Sequence, residues 1–166
     1  MIAARPMTLG FLPGGATGTS VTLNHMVKLA RDGAKDPLVI QTAGALVKNL
    51  PQYDRLGEIQ ALHAYVRDAI RYTNDPVDME LLRTPRAIIE DGVGDCDDKS
   101  TLLAALLRAI GRPSRFVAIA MNGSDQYSHV LVQTPWNKGY MTLETIKPVA
   151  AGWSPAGATK AMVRNV

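Results

Sequence analysis

GVGDCDDKSTLLAALLRAIGRPSRFVAIA, residues 92–120, holds both a helix and the strand that follows it, and its reading organises the rest of the chain. A glycine-containing turn leads to Asp95, whose side chain can accept from the free amides that open a helix. The helix is expected over Cys96 to Ile110, with Leu102, Leu103, Leu106, Leu107 and Ile110 as its buried stripe. Gly111 followed by Arg112-Pro113 stops it. Arg115 to Met121 then reads as a strand, followed by strand-like runs over Ser128 to Gln133 and Tyr140 to Glu144. The polar segments NGSDQY and TPWNKG would be the connecting loops.

Upstream, three helices are expected. The first covers Val21 to Arg31. The second opens with Asp36 as cap and Pro37 in the first helical position, buries Val39, Ala43, Leu46, Val47 and Leu50, and stops at Pro51. The third covers Asp54 to Arg71, with Ile59, Leu62, Val66, Ala69 and Ile70 inward. Thr84-Pro85 opens a short helix that ends at Gly92. Helices first, then a helix packed on a small antiparallel sheet, is an α+β layout within one domain spanning 1–166. Its parts are an arm over 1–20, a helical part over 21–73, the Cys-bearing helix and sheet over 74–148, and an irregular tail over 149–166.

Composition removes several function classes. A single Cys among 166 residues excludes an internal disulfide, and a chain of this length buries roughly 68–70% of its unfolded surface without staples. The excess of 18 Lys+Arg over 15 Asp+Glu is interspersed and aromatics make up 5%, so no nucleic-acid partner is expected. No run approaches the roughly 18 apolar residues of a membrane span, and the start lacks a signal-peptide centre, so a cytoplasmic location and no membrane partner are expected. GGATGTS lacks the Gly-Lys-Ser/Thr ending of a phosphate loop. His25 and His63 read as surface or helix-face histidines, because neither has a second ligand at metal spacing.

Cys96 falls in the first turn of its helix, where unpaired amides and the helix dipole favour a thiolate. Asp97 and Asp98 oppose this, so a positive partner is needed, and His129 is the candidate. If Gln133 lies opposite Tyr140, His129 lies opposite Glu144, with Cβ atoms about 4.5–5.5 Å apart, and the carboxylate can orient the imidazole. Asp98 reads as the reciprocal half of a capping box with Asp95. Asp97 is a cleft candidate that could steer a cationic substrate, but its spacing is not that of a calcium loop, and no metal is expected. Trp136 is the other cleft candidate, with exposure at a hairpin tip as its alternative. Trp153 is read as lining the cleft or packing at an edge.

In these residues, with SHVLVQTPW and YMTLETIKP downstream, the chain resembles a transglutaminase-like domain of the papain-like cysteine hydrolase and acyltransferase group, over about residues 58–148. Its Gly-Asp-Cys-Asp-Asp form is similar to short phage and bacterial members. The resemblance implies a transglutaminase-like core and a Cys96–His129–Glu144 triad, with no cofactor. It departs from the family pattern in having Glu144 where Asp is common and Val130 where an aromatic follows the His. Acyl transfer on the amide bonds of a peptide or protein substrate is the implied chemistry, through a thioester that water or an amine resolves. The backbone amide of Cys96 would receive the oxyanion, with Asn74 or Tyr72 as candidates for the second donor. The alternative is a catalytically inactive structural or assembly protein, associated with a phage particle. A metal hydrolase lacks the expected His-Glu-x-x-His or Cys/His clusters. The oligomeric state stays open.

Overall fold

The computed structural model describes residues 7–10, 14–76 and 79–166. In chain order the elements are β1 (Met7–Gly10), α1 (Gly15–Gly33), α2 (Pro37–Val47), α3 (Arg55–Ala69), β2 (Arg71–Tyr72), β3 (Glu80–Leu82), α4 (Pro85–Asp91), β4 (Val93–Gly94), α5 (Cys96–Ala109), β5 (Arg115–Met121), β6 (Tyr127–Trp136), β7 (Gly139–Leu143) and β8 (Ala158–Asn165). The main sheet is antiparallel in the order β7-β6-β5-β8; β1 pairs with β3, and β2 runs parallel to β4. This is the expected α+β architecture.

Local chemistry sets the helix starts. Asp36 Oδ1 accepts from the Leu38 amide at 2.8 Å with Pro37 behind it, Asp54 Oδ1 accepts from Gly57 at 2.9 Å, and Thr84 Oγ1 accepts from Ala87 at 3.3 Å. Gly92 ends α4 in the left-handed region, φ 67°, where a side chain would be strained. Helix α5 is buried on every side from Asp98 to Leu107. It lies against α1, α2, α3 and α4, and its contact with β6 docks it on the sheet. Leu23, Met26, Val39, Ile59, Leu62 and Val66 meet the α5 leucines from one side, and Phe116, Ala118, Val130, Val132 and Leu143 from the sheet. The opposite sheet face carries a smaller cluster of Val117, Ile119 and Leu131.

Several expectations are corrected. The part of the expected 1–20 arm within the described residues is ordered: Met7–Gly10 pairs with β3 and α1 begins at Gly15, not Val21. Residues 1–6 and 11–13 lie outside the described residues. The expected irregular tail contains β8, which pairs with the whole of β5. In α2 only Val39 and Ala43 are buried, and the helix ends at Val47 rather than Pro51. Ala69 is exposed while Ile70 is buried. His63 is no surface residue, being 1% exposed.

The TPWNKG loop shrinks to a turn at Asn137 and Lys138, because β6 continues through Thr134, Pro135 and Trp136 with Trp136 opposite Gly139. Pro135 is tolerated because pairing with β5 begins only at Gln133, so its missing N–H lies where β6 has no neighbour on that side. Asn137 takes the positive φ of the turn, 52°.

Candidate active site

Cys96 takes the first position of α5, where its amide has no carbonyl one turn earlier to pair with. Gly94 precedes it for a steric reason. A Cβ there would come within 2.7 Å of the Asp98 Cβ, so the chain can turn tightly into the helix only without one. Asp95 caps the helix, accepting from the Asp98 amide at 2.9 Å. The expected reciprocal bond from Asp98 is absent among the described contacts. Its carboxylate instead accepts from the Arg83 amide at 2.9 Å, with the Arg83 guanidinium 3.6 Å away, so Asp98 ties α5 to the segment before α4.

His129 lies on β6 opposite Ile119, beside a bulge that puts Tyr127 opposite Ala120 and leaves Ser128 unpaired. Cys96 and His129 line one cavity of about 270 Å³, with Asp97, Glu80, Tyr127, Ser128 and Val130 around them. The remaining wall is the start of α1, where Gly15, Gly18, Thr19 and Thr22 face the cavity. Sequence reasoning missed this wall, since a Gly/Thr-rich segment carries little helix propensity.

The imidazole and the acid meet. His129 Nε2 is 2.7 Å from Glu144 Oε2, and Glu144 Oε1 accepts from the Ile146 amide at 2.7 Å. Burial raises the Glu144 pKa, but the bond to His129 and the Ile146 amide outweigh it, and the carboxyl is held below its usual range. The expected register is off by two residues: Gln133 faces Thr142, and Tyr140 faces Pro135. Two residues is one full pleat, so every side chain keeps its face. Pairing ends at Val132–Leu143, and Glu144 reaches His129 as a diagonal neighbour rather than a direct one. The contact occupies Nε2 of the ring.

The thiol is not held as a thiolate. Burial pushes the Cys96 thiol up, and the charges of Asp97 and Asp95 add to that, against a smaller opposing contribution from the Val130 amide. Cys96 Sγ is 3.6 Å from Asp97 Oδ1 and donates to it. Asp97 is itself pushed far up, first by burial, then by Asp95, and through a hydrogen bond with Glu80. Burial also raises Asp95 to about 6 and Asp98 to about 7. The helix-start environment expected to favour a thiolate is thus overcome by burial and carboxyls.

Tyr72 and Asn74 sit beside this helix start, since Tyr72 pairs with Gly94. Tyr72 Oη donates to Asn74 Oδ1 at 2.7 Å, and neither residue lines the cavity. Trp136 is no cleft residue. It lies at the far end of the β6–β7 hairpin, in a separate cavity with Arg55, Arg112 and Pro113. Trp153 lies under the Lys147 ammonium, 5.2 Å from the ring centre, and it too is outside the cleft. Among the described residues no group of three His, Cys, Asp or Glu could hold a metal ion, and no helix is long and apolar enough to cross a membrane.

Comparisons with known proteins bear on the family and the fold. The family model of the transglutaminase-like superfamily matches residues 44–154. A search of curated proteins finds no match. Among solved structures, a protease candidate from Parabacteroides distasonis superposes with a TM-score of 0.61 at 13% identity, over 81% of this chain and 30% of its own. A cysteine protease candidate from Cytophaga hutchinsonii gives 0.52 at 15% identity, over 77% and 50%. LapG of Legionella pneumophila gives 0.54 at 19% identity, over 77% and 73%. The chain thus spans 30% and 50% of the length of the first two, and at these identities the likeness is one of fold.

Proposed function

The chain belongs to the transglutaminase-like superfamily, and from that premise we propose that it is a cysteine-dependent acyl-transfer enzyme acting on amide bonds of a peptide or protein. The observation that carries this reading is the 2.7 Å contact between His129 and the buried Glu144, on a cleft that also holds the helix-start Cys96.

Because the resting thiol is protonated, His129 acts as a general base during attack rather than as one half of a stored ion pair. As the Sγ–C bond forms, the thiol proton moves to His129 Nδ1, and the carbonyl electron pair moves onto oxygen. Glu144 keeps the ring in its Nε2–H tautomer and stabilises the imidazolium. The Cys96 amide donates to the oxyanion, with Asn74 or Tyr72 as second donor once substrate is bound. Collapse breaks the C–N bond, and His129 returns its proton to the departing amine. Water, or a second amine, then attacks the thioester while His129 takes its proton and passes it to sulfur, releasing an acid or a new amide.

The test is acid-quenched intact-mass analysis with peptide p-nitrophenyl esters and p-nitroanilides. A thioester on Cys96, absent in Cys96→Ala and formed at least 100-fold more slowly in His129→Ala, is the expected result. No adduct in the wild type would favour the second reading, an inactive assembly protein on the same fold, to which the Cys96–Asp97 contact would suit a permanently protonated thiol.

A further inference from the structure

We infer that His63, on α3, is a positioning residue for Glu144: it grips the main chain of that residue so that the carboxylate meets His129. The inference deepens the catalytic reading above and rests on it for its functional meaning.

His63 Nε2 is 2.5 Å from the Glu144 carbonyl oxygen, across 81 residues of chain. A carbonyl only accepts, so Nε2 carries the proton and donates. Both residues are almost wholly buried, His63 at 1% and Glu144 at 0% exposure. The place matters because Leu143 is the last residue of β7 to pair with β6. Glu144 is the first residue beyond the ladder, and its carbonyl would otherwise be a buried acceptor with no strand to serve it. Three bonds therefore fix Glu144: His63 on the carbonyl, the Ile146 amide on Oε1, and His129 on Oε2.

Ile59, Leu62 and Val66 beside His63 on its own helix are buried apolar residues. An apolar residue would pack there without desolvating a ring, so an imidazole at this position is accounted for by the bond it makes. Burial holds the ring toward its neutral form, and the charged groups around it are Arg67 and Asp68 of α3 and Glu144 itself. Lys99 of α5 secures the same end of α3, donating to the Arg67 and Ile70 carbonyls. His63 touches none of the reacting groups.

The experiment compares His63→Gln, whose amide nitrogen reaches as far as Nε2, with His63→Leu, which has no donor. Two-bond proton–nitrogen correlation spectra read the tautomer of the His129 ring, and kcat and KM are measured in parallel. His63→Leu is expected to turn the single Nε2–H tautomer of His129 into a mixture and to lower kcat at least tenfold with KM within about twofold. His63→Gln is expected to keep both properties. If His63→Leu does not fold, His63→Asn takes its place, because its amide is one methylene too short to reach the carbonyl. A His129 ring unchanged in the donor-less or short variant overturns the inference. The ring spectrum does not depend on turnover, so a wild type that forms no thioester would end the catalytic reading while the spectra still decide on His63.

Discussion

At the scale of single residues, the half-buried Cys96 shares a cavity with His129 and contacts Asp97. Asp97 Oδ1 lies 3.6 Å from Cys96 Sγ and, after burial, Asp97 contributes most to keeping the thiol protonated. Asp97→Asn removes the ionisable carboxyl but keeps a side chain of the same shape. Alkylation of Cys96 by iodoacetamide at pH 7.5 is expected to be severalfold faster in this variant than in wild type, and an equal or slower rate would show that Asp97 does not restrain the thiol. Glu144→Gln keeps a polar group against His129 but loses the charge that stabilises the imidazolium and can turn the ring. A loss of about 10²- to 10⁴-fold in kcat is expected from steady-state kinetics. The Cys96 helix start and the His129–Glu144 contact were legible in the sequence because a cap and a glycine turn mark the first and the hairpin's alternation of faces the second. Glu80 and His63 were not, since what matters about them is a contact made across the chain to Asp97 or to the Glu144 carbonyl.

At the scale of elements, α5 was the most legible feature because its cap, apolar stripe and glycine stop agree with one another. What the pattern understated is its burial all round, which makes its first turn intolerant of added volume. Gly94→Ala would drive a methyl to within 2.7 Å of Asp98 Cβ, on a helix that cannot retreat. Urea denaturation is expected to show a loss of about 1–3 kcal/mol, accompanied by loss of thioester formation as Cys96 shifts. A fully stable and active variant would show that the turn has room. The β6–β7 hairpin was legible in face but not in register, because Pro135 reads as a strand stop while the shortness of β5 on that side lets the strand continue. Strand β8 was invisible for a different reason. It is a largely exposed edge strand paired by backbone to β5, with only Met162 and Arg164 half-buried, and an edge that buries so little leaves little alternation to read.

At the scale of the whole molecule, the cluster at the start of α5 couples folding to pH. Burial raises Asp95 to about 6 and Asp98 to about 7, and raises Asp97 as well, against a carboxylate value of 3.8 in the unfolded chain. Between those limits the folded protein binds protons that the unfolded chain does not, so these groups stabilise the fold as pH falls through about 7. His63 works in the opposite sense. Its folded pKa is lowered from 6.5, so its contribution is present above that pH and is lost as the unfolded chain takes up a proton below it. Three carboxyls outnumber one imidazole, and thermal unfolding is expected to show Tm rising as pH is lowered from 8 to about 5. Glu144 and Asp36, held below their usual values, then reverse the trend as they protonate in more acid solution. Asp98→Asn keeps an acceptor for the Arg83 amide and removes a carboxyl raised to about 7, so the rise between pH 8 and 6 should flatten in that variant. A Tm that follows the wild-type slope in Asp98→Asn, or that falls steadily from pH 8 to 5 in the wild type, would mean that these buried carboxyls remain ionised in the folded protein.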